Sequence, residues 1–397
     1  MEHGDGDHVG VAVREESPTV PAADRRVLVV DRIEELREHA DAWNTLAFEV
    51  PPRIPTSSHA WVSAYFEHCL APGETWRCVL AYDRGGDRLV GVLPLIAGGG
   101  ILRRRLRTPH DGHTIAVGPL LAPGDEASIL DALLRAAWAS EPRTPWIEVA
   151  DVPDSSPLMA NLGAHLHLAL TRRHGSYLRV DGDQEQYQAS LSKNFRSNQK
   201  KAANKLKKLA DVETAFLTGE NASSAQLPDF APVEASGWKG RESSAIQASM
   251  SRMAFYTTLA DRLAEAGWLE WHFLRAEGRA IAANLAVRFN RSVLVWKLAY
   301  DEAHARCSPG GMLFQALVDR TFPDPLIDEI NLLTDAPWYG NWRMEKRDFL
   351  RIRLYRRRPG SLLLGFLPDA LVARARRSRT LRSVVGTLRG WIKRLRK

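Results

Sequence analysis

The chain has 397 residues, 45% of them hydrophobic, with a net charge of +7 and three cysteines. That length predicts two domains rather than one; no apolar run is long enough to cross a bilayer, and Cys69, Cys78 and Cys307 have neither the number for a disulfide framework nor the spacing of metal ligands. Residues 351–397 hold fifteen Arg or Lys and one acid, so residues 1–350 are net −7, which argues against a body that grips nucleic acid over its whole surface.

The opening "MEHGDGDHVG" is acidic and lacks an apolar h-region, so no secretory signal is expected, and residues 1–24 have a disordered composition. "RVLVV" (26–30) reads as a strand and "RIEELREHADAWNTLA" as a helix. "SHAWVSAYFEHCL" is a second amphipathic helix, with Ser57 or Ser58 as N-cap. "WRCVLAYD" and "RLVGVLPLIAG" form a hairpin across "RGGD", and "HTIAVGPLL" reads as a further strand. "EASILDALLRAAWAS" is a helix and "WIEVADV" a strand. The rhythm then recurs. "SYLRVD" is a strand, "EQYQASLSKNFRSNQKKAANKLKKLA" one long basic helix, "VETAFL" a strand and "SRMAFYTTLADRLAEAG" a helix. Three strands follow, "WLEWHFLRAE", "AIAANLAVRFN" and "SVLVWKLAYD", joined by "EGR" and "NRS". "GGMLFQALVDRTF" is a helix, and "IDEINLL" and "DFLRIRLYRR" are strands. Two αβ halves of similar length predict a duplicated α+β fold.

Chemistry concentrates in two places. At 292–313 a strand runs through "EAHARCSPGG" into a helix, whose first N–H groups lack intrahelical partners and carry partial positive charge. Pro309 suits the first turn, and Gly310 and Gly311 let a pyrophosphate approach the backbone. A plain strand-to-helix turn has the same composition. The other place is "EASGWKGR" (234–241), which sets Glu234, Trp238, Lys239 and Arg241 among two glycines. It reads either as a capped helix end with a solvated basic turn or as a mobile backbone bringing those groups to a ligand. "HDGH" (110–113) has too few ligands for a metal and reads as a polar loop. Lys193, Arg196, Lys200 and Lys201 read as a solvated face or a phosphate contact, and Cys307 has no partner that would make it a nucleophile. In the tail, Leu381, Val384, Val385, Leu388, Trp391, Ile392 and Leu395 recur at helical spacing among arginines and lysines. Such a helix suits an anionic membrane surface or the acidic body, and "SLLLGFL" (361–367) is long enough to dip into the interface.

Arg306-x-x-Pro309-x-Gly311 resembles the acyl-CoA motif of GNAT acetyltransferases, with proline in place of the motif's first glycine. Together with "EASGWKGR", "WKLAYDEAHARCSPGGMLFQAL" and "LSKNFRSNQKKAANKL", it is similar to the FemAB-like, cellulose-biosynthesis-associated (CelD-like) acetyltransferases over residues 40–355. Members often carry a Tyr-Lys pair near the end of the second domain; here Lys346 lies seven residues past Tyr339.

The resemblance implies two tandem GNAT-like domains, 25–174 and 175–358, the second with the donor site, then a basic helical tail at 359–397. It implies acyl transfer from acetyl-CoA or another acyl-CoA to an amine, without a metal. Arg306, Ser308, Gly310 and Gly311 would hold the donor, and a backbone N–H near Leu298 or Ala299 would polarise the thioester. Glu234 would be the base, with Tyr300 or Asp301 as rival acid or base. Lys239 and Arg241 would bind an anionic substrate or set the charge state of Glu234, and Trp238 would floor the acceptor pocket. The acceptor would be a small or sugar-linked amine, and the protein cytoplasmic or peripheral on the inner face of the membrane. Two rivals remain: a FemAB-type transferase using aminoacyl-tRNA, and an inactive membrane-associated assembly factor of polysaccharide biosynthesis.

Overall fold

The computed structural model describes residues 25–51, 53–99, 105–242 and 245–377, without the side chains of Trp238, Lys239 and 375–377. The expected disorder at 1–24 and the apolar face from Leu381 to Leu395 lie outside the described residues.

The first half contains β1 (Val27–Val30), α1 (Ile33–Arg37), α2 (Ala40–Glu49), α3 (His59–His68), β2 (Thr75–Tyr82), β3 (Leu89–Gly98), β4 (Arg105–Arg107), β5 (Leu120–Leu121), α4 (Glu126–Ser140), β6 (Trp146–Pro153), α5 (Pro157–Ala160) and β7 (His167–Arg179). The second contains α6 (Gln184–Ser190), α7 (Lys193–Leu209), β8 (Val212–Thr218), α8 (Leu227–Ala235), α9 (Trp238–Arg241), α10 (Met250–Glu265), β9 (Leu269–Ala276), β10 (Arg279–Phe289), β11 (Ser292–Tyr300), α11 (Pro309–Thr321), β12 (Glu329–Asn331) and β13 (Glu345–Tyr355). A helical segment closes the description: α12 (Pro359–Ser361), a π-helical turn (Leu362–Phe366) and α13 (Leu367–Arg377).

Local chemistry explains where the elements differ from expectation. The long basic helix is two, because Ser192 is extended and its hydroxyl accepts from the Phe195 N–H at 3.2 Å, an N-cap in mid-run. The first predicted helix breaks at His39, whose Nδ1 lies 2.7 Å from the Tyr82 hydroxyl. "HTIAVGPLL" yields only β5: Ala116 has φ +60°, incompatible with a strand, and its carbonyl accepts from the Thr56 hydroxyl at 3.1 Å. "IDEINLL" shrinks to Glu329–Asn331, while "SYLRVD" is the end of a strand that begins at His167. The short β4 had no counterpart in the sequence reading. Ser58 does cap α3.

One mixed sheet runs β1-β2-β3-β4-β6-β13-β7-β12-β11-β10-β9-β8, with β5 on β3. Each half supplies an antiparallel run, a helix and then a strand parallel to the last of that run: β4 pairs with β6, and β11 with β12. The final strand of each half is exchanged. β7 follows β6 in the chain but pairs with β12 and β13; β13 follows β12 but pairs with β6 and β7. The expected division at 174/175 therefore runs through the middle of a strand.

The halves also share a core. Trp61 on α3 meets Trp296 on β11 edge-on at 4.7 Å, a geometry worth about 1 kcal/mol beyond the area buried. Arg262 on α10 donates to Ser63 and Glu67 on α3, both at 2.8 Å.

Candidate active site

β11 and β12 pair only from Ser292 to Leu294 on β11. Beyond that point β12 ends and the strands splay, which opens a wedge beside Val295–Tyr300. Trp296 is an extra residue opposite β10, where Leu285 pairs with Lys297 and Ala286 with Val295. Such a bulge bends a strand and re-aims its side chains. The wedge is a cavity of about 830 Å³, the size of a small-molecule site. Leu298, Ala299 and Tyr300 form one wall, Ser308, Gly310 and Gly311 one end, and Phe195 and Gln199 of α7 part of the rim. Trp338, Tyr339 and Trp342 cover the far side, and Gly112 and Ile115 reach in from the first half.

The start of α11 carries no side-chain cap. Ser308 enters it with φ +48°, a left-handed conformation that costs a non-glycine residue about 1 kcal/mol or more. A Cβ at Gly311 would come within 2.6 Å of the Ser308 Oγ and 2.8 Å of the Gln199 Nε2, so glycine is what admits a hydroxyl and an amide to the helix mouth. Uncapped N–H groups, two small polar side chains and a cavity of this size fit the diphosphate arm of a CoA-type donor.

At the deep end sits a buried polar cluster. The Glu234 side chain has no exposure; its Oε2 accepts from the Ile246 N–H at 2.7 Å, and its Oε1 lies 3.3 Å from the Lys297 Nζ. That ammonium is 3.2 Å from the His113 Nδ1, which lies 3.1 Å from the Tyr256 hydroxyl. Burial, then the Glu234 charge, pushes the Tyr256 phenol well above its ordinary range. Three elements of the second half and a loop of the first thus meet around one ion pair. Lys297 was missed in the sequence, although a lysine inside the apolar "SVLVWKLAYD" had to find a partner. The "HDGH" loop is more than a polar loop: His113 joins this cluster, while His110 pairs with Asp151 at 2.8 Å.

The other expected residues fall differently. Tyr300 lies at the cavity wall, 40% exposed. Asp301 is a cap: its Oδ1 accepts from the Ala303 N–H at 3.0 Å, and it stands off the cavity wall. Arg306 is exposed and also off the wall. Arg241 is engaged by Glu302 at 2.7 Å, so the carboxylate at the wedge rim already has its cation. Trp238 and Lys239 have side chains outside the described residues. The glycines of "EASGWKGR" serve close packing rather than a loose backbone. A Cβ at Gly240 would overlap the Ala235 carbonyl, and one at Gly237 would lie 3.2 Å from the Glu302 Oε1.

Residues 193–340, which include the wedge and most of its walls, match the family model for the acetyltransferase (GNAT) domain. The chain folds as two tandem GNAT-like domains. Among solved structures it is similar to FemX, with 11% identity, 83% of this chain and 98% of that one covered, and a TM-score of 0.58. A conserved protein of unknown function from Bacteroides thetaiotaomicron aligns with 12% identity over 83% of this chain and 100% of its own, with a TM-score of 0.53. Identities this low speak for the shared fold. No curated protein matches the sequence. The matched span takes in β11, α11 and β12, the elements around the wedge.

Proposed function

We propose that the protein is an N-acyltransferase that moves an acyl group, acetyl first among candidates, from a CoA thioester to an amine. The observation that carries this reading is the continuous cavity from the uncapped start of α11 to the Glu234–Lys297 pair. The donor supplies an activated acyl carbon. In this reading the Gly310 and Gly311 N–H groups face its diphosphate, with the Ser308 hydroxyl beside them. A backbone N–H near Leu298 or Ala299, on the splayed edge, polarises the thioester carbonyl. Attack by an amine must release a proton, and Glu234 is the carboxylate at the deep end of the cavity, whereas Glu302 is held at the rim by Arg241. Lys297, with His113 beside it, holds Glu234 in place, and Tyr300 lines the wall. Holding both reactants in one wedge supplies much of the rate. An amine on a polysaccharide or lipid-linked sugar precursor is the acceptor class, used in the cytoplasm or at the inner membrane face.

A second reading, FemAB-type transfer from aminoacyl-tRNA, draws on α7. That helix carries seven Lys or Arg and no acid, and it begins beside the wedge at Phe195 and Gln199. The assembly-factor reading has only the proline of the motif in its favour.

The test of the base is a pair of variants. Glu234→Gln alone leaves Lys297 buried beside a neutral group and lowers stability by about 3 kcal/mol. Adding Lys297→Met removes the orphaned charge and recovers most of that loss. Thiol release from acetyl-CoA over a panel of amines, measured on folded protein, stays at least about a hundredfold down in both. Recovery of turnover along with stability would show that Glu234 is structural.

A further inference from the structure

The segment Pro359–Arg377 docks with its polarity inverted. Its inner face is mostly small or polar: Ser361 and Gly365 are buried, Asp369 accepts from the Arg353 Nη1 and the Tyr355 hydroxyl, each at 2.6 Å, and Phe366 meets the Tyr355 ring edge-on at 5.4 Å. A Cβ at Gly365 would lie 3.0 Å from the Trp146 ring and 3.3 Å from the Tyr355 ring, so the absent side chain lets the segment lie against the sheet. The outer face holds the leucines and a valine. Leu363, Leu364 and Leu371 are 62%, 72% and 67% exposed, with Leu362, Leu367 and Val372 beside them. A helix that merely completes a soluble fold turns such residues inward, and a contiguous exposed patch marks an interaction site.

A second cavity, about 300 Å³ and separate from the acyl wedge, opens beside this ridge. Arg143, Arg356, Arg358, Trp146, Ser361 and Leu364 line it, and no carboxylate does. None of the three arginines has an ion pair among the described residues. Arg356 is fixed by the carbonyls of Pro142 at 2.7 Å and Trp138 at 3.1 Å. Burial, then the nearby Arg358 charge, holds its guanidinium below the usual range. Three arginines around a small cavity that no carboxylate lines suit a phosphate. Leu364 belongs both to the cavity wall and to the ridge, so the anion and the apolar phase meet at one place.

We propose that this surface docks on an anionic bilayer, with the ridge Leu362–Val372 entering the headgroup–acyl boundary and the Arg143–Arg356–Arg358 cavity taking the phosphate of an anionic phospholipid. A free phosphate ester would satisfy the cavity but leave the ridge bare, and a neutral apolar partner would satisfy the ridge but leave three arginines facing it. Arg357 and Arg358 at one end and Arg374 at the other put cations at headgroup level. This contact takes in the "SLLLGFL" (361–367) expected to dip into the interface and lies upstream of the expected apolar face Leu381–Leu395, which is outside the described residues.

Flotation of the full-length chain with vesicles of phosphatidylcholine, with or without phosphatidylglycerol, tests it without reference to acyl transfer. Two double variants alter exposed side chains, Leu363→Ser with Leu364→Ser and Arg143→Glu with Arg358→Glu, and thermal melts report their folding. The wild type should float with phosphatidylglycerol vesicles and not with phosphatidylcholine alone, and each variant should lose about tenfold in partitioning. If one variant melts early, the other decides. Unchanged flotation of a folded variant would overturn the proposal, because residues 378–397 would then carry the binding. Binding of inorganic phosphate lost in the arginine variant while flotation persists would overturn it too, as would a dimer broken by the leucine variant, since a second copy would then cover the ridge.

Discussion

His59, at the first turn of α3, is 5% exposed, and burial followed by the Arg262 charge pushes its imidazole down to about 4. The unfolded chain takes up a proton near pH 6.5 that the folded chain refuses until about pH 4, so stability falls as pH drops through that window. Between roughly pH 7.5 and pH 5 this one residue removes about 2 kcal/mol. Burial lowers His68, His165 and His272 as well, which steepens the slope. Urea denaturation across this range should show the loss, and His59→Gln should flatten the curve by that share; an unchanged slope would mean the imidazole protonates in place. Residues of this kind were not legible in the sequence. A histidine among "SHAWVSAYF" reads as an ordinary helix position until α2 and α3 bury it. Glu234 stands out in the sequence by its company but its burial does not, and Lys297 needed its buried strand to be taken as a demand for a partner.

Hairpins and helices were readable because their signals are local: "EGR" and "NRS" turn tightly, and Pro309 opens α11. What could not be read is set by contacts across the sheet. Nothing near "SYLRV" says that β7 must leave its own half, but Gly175 records it. A Cβ there would lie 2.5 Å from the Phe349 ring and 2.8 Å from the Leu333 carbonyl, both of the second half. Gly175→Ala should therefore cost about 2–3 kcal/mol by overpacking. Gly163→Ala, whose Cβ meets nothing within 4 Å, is the control and should be close to neutral. Equal denaturation midpoints for the two variants would mean that the exchanged strand has room to shift. The wedge depends on this pairing, since β7 holds β12 and the early end of β12 opens the gap beside β11.

For the whole molecule, duplication was visible as a repeated rhythm of elements, while the strand exchange and the shared core make the halves one unit. The wedge is lined by both, with Gly112 and Ile115 from the first half and α11 from the second. In the proposed reaction the start of α11 receives an acyl-CoA diphosphate. Calorimetric titration of the intact protein with acetyl-CoA, and separately with bulk tRNA, tests this most directly when repeated on Gly310→Asp. A Cβ at position 310 meets only the Tyr300 and Leu298 side chains, at 3.4 Å or more, so the variant should fold and simply set a negative charge where the phosphates go. Acetyl-CoA binding in the wild type that is lost in Gly310→Asp is the predicted result; acetyl-CoA binding unaffected by the substitution, or heat from tRNA alone, would contradict it.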